Sequence, residues 1–328
     1  MNNLYFTLII LFSISNLLVF ADIDPSSYSL LLGTIRKELV ERALSSLPKK
    51  DFVDILQMCK TMEKSKEFFS LTDAESAYLV YKWISENIEV NRLGNSDYVA
   101  TVYDRGEGSP AGVSQLFTLM CNYFKVKSKS ISGFIKIKKR INFQNLISKI
   151  NSTWNYILIN DEYYLVDVTM GSSIFDGLYF NSYYSELFFA TKPEIFINYH
   201  FPNDNQWQLL NNPYTLENFE SIPFISDQFY LMGFKTFSPE FLDINESGKI
   251  KFTLTYDESL GEIDIYTSFL NSYFSTTEVD TEINYLKGKV EIILNKNNED
   301  LLYFIIECEP LDEDSYEDIS ILTYKLNP

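Results

Sequence analysis

The chain is poor in the residues that most often carry chemistry. It has one histidine, His200, and three cysteines, Cys59, Cys121 and Cys308, in 328 residues. A lone histidine leaves one imidazole for any acid–base step in the whole chain. Three cysteines cannot build a disulfide framework. One bridge plus a free thiol, or buried small hydrophobes, are the readings that remain. Positive charge is also short: 27 Lys and Arg against 45 Asp and Glu give a net charge of -18. That balance opposes general binding to nucleic acid or to anionic lipid. No internal repeat and no glycine- or serine-rich linker divides the chain, and nothing in it asks for a metal or a cofactor.

The first 21 residues hold no charged side chain. Leu4 to Phe20 is an apolar run of the length of a signal-peptide core, and Val19-Phe20-Ala21 offers a cleavage site. The expectation is a signal peptide over 1–21 and a secreted or cell-surface protein, with an uncleaved N-terminal anchor as the alternative. No second segment is apolar enough to cross a bilayer. Two sequons, Asn151-Ser152-Thr153 and Asn245-Glu246-Ser247, are glycan acceptors if the chain passes through a eukaryotic secretory route.

What is abundant is apolar and aromatic. Hydrophobic residues make up 46% of the chain, with 26 Phe and 23 Tyr, which supports two packed cores. "TIRKELVERALSSLP" sets Ile35, Leu39, Ala43 and Leu47 on one helix face, with Pro48 as the stop. In "TDAESAYLVYKWISENI", Thr72 and Glu75 have capping-box spacing. Ala77, Val80, Tyr81, Ile84 and Ile88 form the buried stripe. "RGEGSPAGVSQLFTLMC", Arg105 to Cys121, predicts a sharp turn into a buried helix. Ser109 is its N-cap, Pro110 its first residue, and Val113, Leu116, Phe117, Met120 and Cys121 its inner face.

"KSKSISGFIKIKK", "TWNYILIND" and "EYYLVDVTM" read as strands, the last two joined at Asn160-Asp161. "RINFQNLISKI" between the first two reads as a loop or short helix. From about Asp204 a connector leads to a β region. There "KIKFTLTY" alternates strictly, and "EIDIYTSF", "KGKVEIILN", "LLYFIIECE" and "DISILTYKL" follow at sandwich intervals. Charge is uneven: Lys125 to Lys149, including Arg140, is basic without an acid, and Glu299 to Asp318 is mostly acidic. Solvated faces are the ordinary meaning of such runs. The sharper one is a basic surface that meets an anionic partner, or the two runs facing each other.

Several segments, in order, resemble the transglutaminase-like superfamily in its kyphoscoliosis-peptidase-like branch. "AYLVYKWISENI" is similar to the helix before the active-site turn, and "GSPAGVSQLFTLMCNYF" to the nucleophile helix. "STWNYILINDEYYLVDVTM" resembles the strands that carry the catalytic His and Asp. "FFATKPEIFINYHFPNDNQWQLL" resembles the segment that closes the domain. The resemblance runs from about Leu71 to Leu210. It implies an α+β fold: a papain/transglutaminase-like core with N-terminal helices over 22–212, then a connector and an Ig-like β-sandwich over 213–328. In that family a cysteine opens a buried helix whose N-terminus stabilises the thiolate, and His and Asp complete the site.

Here the positions that match the triad are Pro110, Ser152 and Asp167. Proline offers no nucleophile, and serine cannot replace imidazole as a base near neutral pH. Cys121 lies about 16 Å along the helix from Pro110 at 1.5 Å per residue, too far to serve. His200 has no paired nucleophile in sequence. The expectation is a pseudoenzyme: a secreted binding or scaffold module with an unknown protein or peptide partner. Asp167 is then expected to orient its strand through backbone groups or Ser152. Trp83 and Trp154 are expected in the core, with a cleft lining as the alternative. Two alternatives of function stay open. One is a cysteine-dependent transglutaminase or peptidase with an unusual layout. The other is a hydrolase using carboxylates such as Asp161, Glu162 and Asp167.

Overall fold

The structure is a computed structural model. It describes residues 24–91, 98–139, 146–175, 179–240, 249–258, 263–271, 276–277, 281–295, 301–308 and 319–326. The segment 1–21, Asn245, Arg140 and most of the acidic run after Glu299 lie outside the described residues. The protein is of mixed α+β class. It divides into two compact units, one of residues 28–216 and one holding 217–328.

The first unit opens with helices α1 (Lys37–Ser45), α2 (Ile55–Phe69), α3 (Asp73–Asn87), α4 (Val99–Arg105) and α5 (Pro110–Tyr123). The first stops at Ser45 rather than at Pro48, because the Ser46 hydroxyl and N–H both donate to the Ala43 carbonyl and close the last turn. Its buried residues are Val40 and Ala43. The capping box on α3 forms as spaced. Glu75 N–H donates to Thr72 Oγ1 at 3.2 Å, and Thr72 N–H donates to Glu75 Oε2 at 2.8 Å. The same carboxylate accepts from Arg36 Nε and Nη2, each at 2.6 Å, and from the Arg36 N–H at 3.0 Å. One side chain therefore both starts α3 and ties the segment ahead of α1 to it.

The inner face of α5 is buried as the spacing predicts: Val113, Leu116, Phe117, Met120 and Cys121 are all fully enclosed. Each of the large side chains on that face contributes about 1.5–3 kcal/mol by leaving water. They pack on an antiparallel sheet of β1 (Lys127–Lys138), β2 (Ile147–Ile159), β3 (Glu162–Val166), β4 (Phe189–Thr191) and β5 (His200–Pro202), in the order β4-β3-β2-β1-β5. Residues Ile147 to Ile150 belong to β2 rather than to a loop or helix. They pair with Lys138 to Ile135, and the buried Ile135 and Ile137 reward that extension. Asn160 and Asp161 form the tip between β2 and β3, with φ of 52° and 65°, the left-handed pair that suits a tight hairpin.

Side chains alternate across β2. Asn155 donates to the Ser114 carbonyl at 3.0 Å and to Thr118 Oγ1 at 2.8 Å, both on α5. Asn151, Thr153 and Asn155 thus share the face that α5 covers. Ser152, Trp154 and Tyr156 turn to the other face, where Trp154 meets His200 and Tyr156 stacks on Trp207 at 4.6 Å. On its outer side β1 is paired with β5 only from Gly133 to Ile135. Earlier along that edge the Asn122 side chain takes both free groups of Ser128: it accepts from the N–H at 2.9 Å and donates to the carbonyl at 3.3 Å.

The second unit is built from two antiparallel sheets. One orders Phe224–Ile225, Ile319–Lys325, Leu301–Cys308, Ile265–Asn271 and Thr276–Thr277; the other orders Phe234–Ser238, Lys249–Tyr256, Lys289–Asn295 and Thr281–Leu286. They meet face to face through Phe252, whose ring lies 4.5 Å from Phe304 and 4.8 Å from Tyr324. Ile250, Phe252, Leu254 and Tyr256 are the buried side of their strand, as the alternation predicts. The stretch read as connector supplies two of these strands, Phe224–Ile225 and Phe234–Ser238. Both are edge strands, each with a single partner, so little periodicity marks them.

Candidate functional site

A cavity of about 500 Å³ opens at the start of α5. Ser109 caps the helix by accepting from the Gly112 N–H at 3.1 Å, and Pro110 fills the first turn. Both line the cavity, with Ser132, Gly133 and Asn203 beside them and Asn151, Ser152 and Thr153 from β2. Among the described residues that line it there is no thiol, imidazole or charged side chain. These lining residues present hydroxyls, amides and apolar surface, which can bind a ligand by hydrogen bonding.

Of the three matching positions, Pro110 and Ser152 share this cavity and Asp167 does not line it. Ser152 is buried, and its Oγ has no hydrogen-bond partner. Asp167 is fully buried and caps the short helix α6 (Val168–Ser172). Its Oδ1 accepts from Thr169 N at 2.8 Å, Thr169 Oγ1 at 2.5 Å and Met170 N at 3.1 Å. Its Oδ2 lies 2.8 Å from His200 Nε2. Of the two expected partners, backbone groups or Ser152, Asp167 takes the backbone, and His200 besides.

His200 is the residue whose role sequence reasoning understated. It is also buried. Its ring stacks on Phe196 at 3.8 Å and stands edge-on to Trp154 at 4.9 Å, and its Nδ1 lies 3.4 Å from the Phe196 carbonyl. Both ring nitrogens are engaged and neither faces the cavity lining, so this His–Asp pair is a clamp within the core. The clue in sequence was the apolar setting of "FINYHFP", where a buried imidazole must find a polar partner.

All three cysteines are free and buried. Burial pushes the Cys59 thiol up to about 11, and burial, with Cys59 nearby, pushes the Cys121 thiol well above its ordinary range. Both changes work against thiolate formation. Cys308 Sγ contacts Met232 Sδ at 3.6 Å. The carboxylates named as an alternative are not brought together. Asp161 sits in the hairpin tip, Glu162 Oε2 accepts from the Tyr164 hydroxyl, and Asp167 is enclosed. Trp83 is buried against Tyr103, and Trp154 against His200. Among the described residues no three His, Cys, Asp or Glu side chains cluster to hold a metal ion, and no helix is long and apolar enough to cross a membrane.

No family model matches the chain. Individual proteins do. It is 29% identical over 182 residues to human kyphoscoliosis peptidase, covering 52% of this chain and 27% of that protein. The match to the Drosophila melanogaster protein Hillarin is 25% over 211 residues, covering 55% of this chain and 25% of the other. The chain is similar to proteins of the transglutaminase-like group, on its kyphoscoliosis-peptidase-like branch. It is also 27% identical over 178 residues to the Caenorhabditis elegans Lim and transglutaminase domain protein ltd-1, covering 48% and 24% of the two chains. The chain spans about a quarter of the length of these curated relatives.

Proposed function

We propose that this chain is a secreted, catalytically inactive transglutaminase-like protein that acts as a binding or scaffold module. In this reading the unit of 28–216 is a papain-like core and the second unit an Ig-like sandwich. The observation that carries it is the cavity at the mouth of α5. Pro110 stands where the family places its thiol, Ser152 where it places its imidazole, and among the described residues no lining side chain substitutes for either. A fold held together by burial keeps its shape without its chemistry. The hydroxyls and amides around the cavity suit a polar protein or peptide segment.

The experiment compares thiol-dependent incorporation of a labelled amine into a glutamine-bearing acceptor, and cleavage of a peptide library, with and without the purified chain. The expected result is no turnover above background. Turnover lost on substitution of Cys59 or Cys121 overturns the reading. The alternative, an active cysteine enzyme with an unusual layout, requires a reactive thiol in the folded chain. A disulfide-exchange reagent should label no cysteine of the native protein and all three after denaturation.

A further inference from the structure

We infer that Asn151 carries an N-linked glycan that roofs the cavity at the start of α5. The inference rests on the secretory reading proposed above and adds a modification site to it. Asn151-Ser152-Thr153 is an acceptor sequon with threonine in its third position. Asn151 is exposed, although Ser152 after it is buried.

The direction follows from strand geometry. Asn151, Thr153 and Asn155 share one face of β2, and Asn155 is bonded to Ser114 and Thr118 of α5. From Asn155 back to Asn151 the strand advances about 13 Å at ~3.3 Å per residue. From Ser114 back to Pro110 the helix retreats only about 6 Å at 1.5 Å per residue. The strand therefore outruns the helix. Asn151 projects past the helix start on the side the helix would otherwise cover, and it lines the cavity together with Pro110. A sugar on its amide nitrogen extends over the opening, and peptide access closes. The bond formed is between the Asn151 amide nitrogen and the anomeric carbon of the first sugar. A lipid-linked pyrophosphate is the leaving group and takes the electron pair, as the amide loses one proton.

The test is cell-free translation of the full chain with pancreatic microsomes, followed by protease protection and endoglycosidase digestion. The expected result is a protected chain with an endoglycosidase-sensitive mobility shift, reduced by one glycan in N151Q. Peptide mapping then finds the sugar on Asn151. A protected chain with Asn151 bare overturns the glycan and leaves the secretory reading standing. An unprotected chain overturns both. For the roofing, Ala111→Cys puts a thiol in the cavity lining, while the three native thiols are buried. With the glycan present, this thiol should lose labelling by a bulky polymer maleimide yet keep labelling by N-ethylmaleimide. In the N151Q background both reagents should label it. Equal polymer labelling in the two backgrounds overturns the roof.

Discussion

Replacing His200 by phenylalanine separates its packing from its hydrogen bond. A phenyl ring keeps the stack on Phe196 at 3.8 Å and the edge contact with Trp154 at 4.9 Å. It removes the partner 2.8 Å from Asp167 Oδ2, in a place where both side chains are fully enclosed. Removing one partner of a buried hydrogen bond costs about 1–3 kcal/mol or more, because the other is left desolvated and unmatched. Asp167→Asn is a milder change. Its carbonyl still accepts from Thr169 and Met170, and its amide donates to Nε2 once the ring proton sits on Nδ1, facing the Phe196 carbonyl. A swap that keeps each hydrogen bond in place costs about 1 kcal/mol. The three tryptophans, Trp83, Trp154 and Trp207, all lie in the unit of 28–216, so urea unfolding followed by tryptophan emission reports that unit alone. H200F should lose more stability than D167N. An H200F midpoint equal to that of the parent would refute the clamp.

Two further outcomes follow from the geometry. A Cβ on Gly171 would lie 1.7 Å from Tyr81 Oη and 2.4 Å from Cζ. That ring is buried and donates to the Ser185 carbonyl at 2.5 Å. Gly171→Ala should therefore cost at least about 1–3 kcal/mol by overpacking, measured by the same tryptophan signal, and less than that in a Tyr81→Phe background. The second concerns acid. Burial pushes the Glu75 carboxyl up, but hydrogen bonds from Arg36 and from the backbone of Thr72 and Arg36 outweigh it and hold it at about 2. A carboxyl lowered by folding stabilises the protein above its unfolded value and loses that contribution as pH falls toward its folded value. Stability should drop between about pH 4.5 and 2, the carboxyl's ordinary and folded values, and Glu75→Gln should flatten that limb in acid unfolding curves.

Helices with complete local signals were legible in the sequence. Ser109 with Pro110, and Thr72 with Glu75, announce helix starts because caps act within one turn. The faces of α5 and of Lys249–Tyr256 follow from periodicity. What was illegible depends on partners far along the chain. Ile147 to Ile150 becomes strand only because β1 is there to pair with it. Phe234–Ser238 is an edge strand that looks like a connector. The His200–Asp167 contact spans 33 residues and no local pattern. The cavity positions came from resemblance to a family, since neither proline nor serine marks a site by itself.

Asn122 has a role that outlasts any question of catalysis. An antiparallel strand with a bare flank is an invitation to stack with a neighbouring molecule, the route to amyloid-like aggregates. By occupying both main-chain groups of Ser128, a single amide side chain does the work of a missing strand and withdraws that invitation. An alanine at 122 would leave those two groups open to a neighbouring molecule, so this position guards against self-association as well as serving the fold.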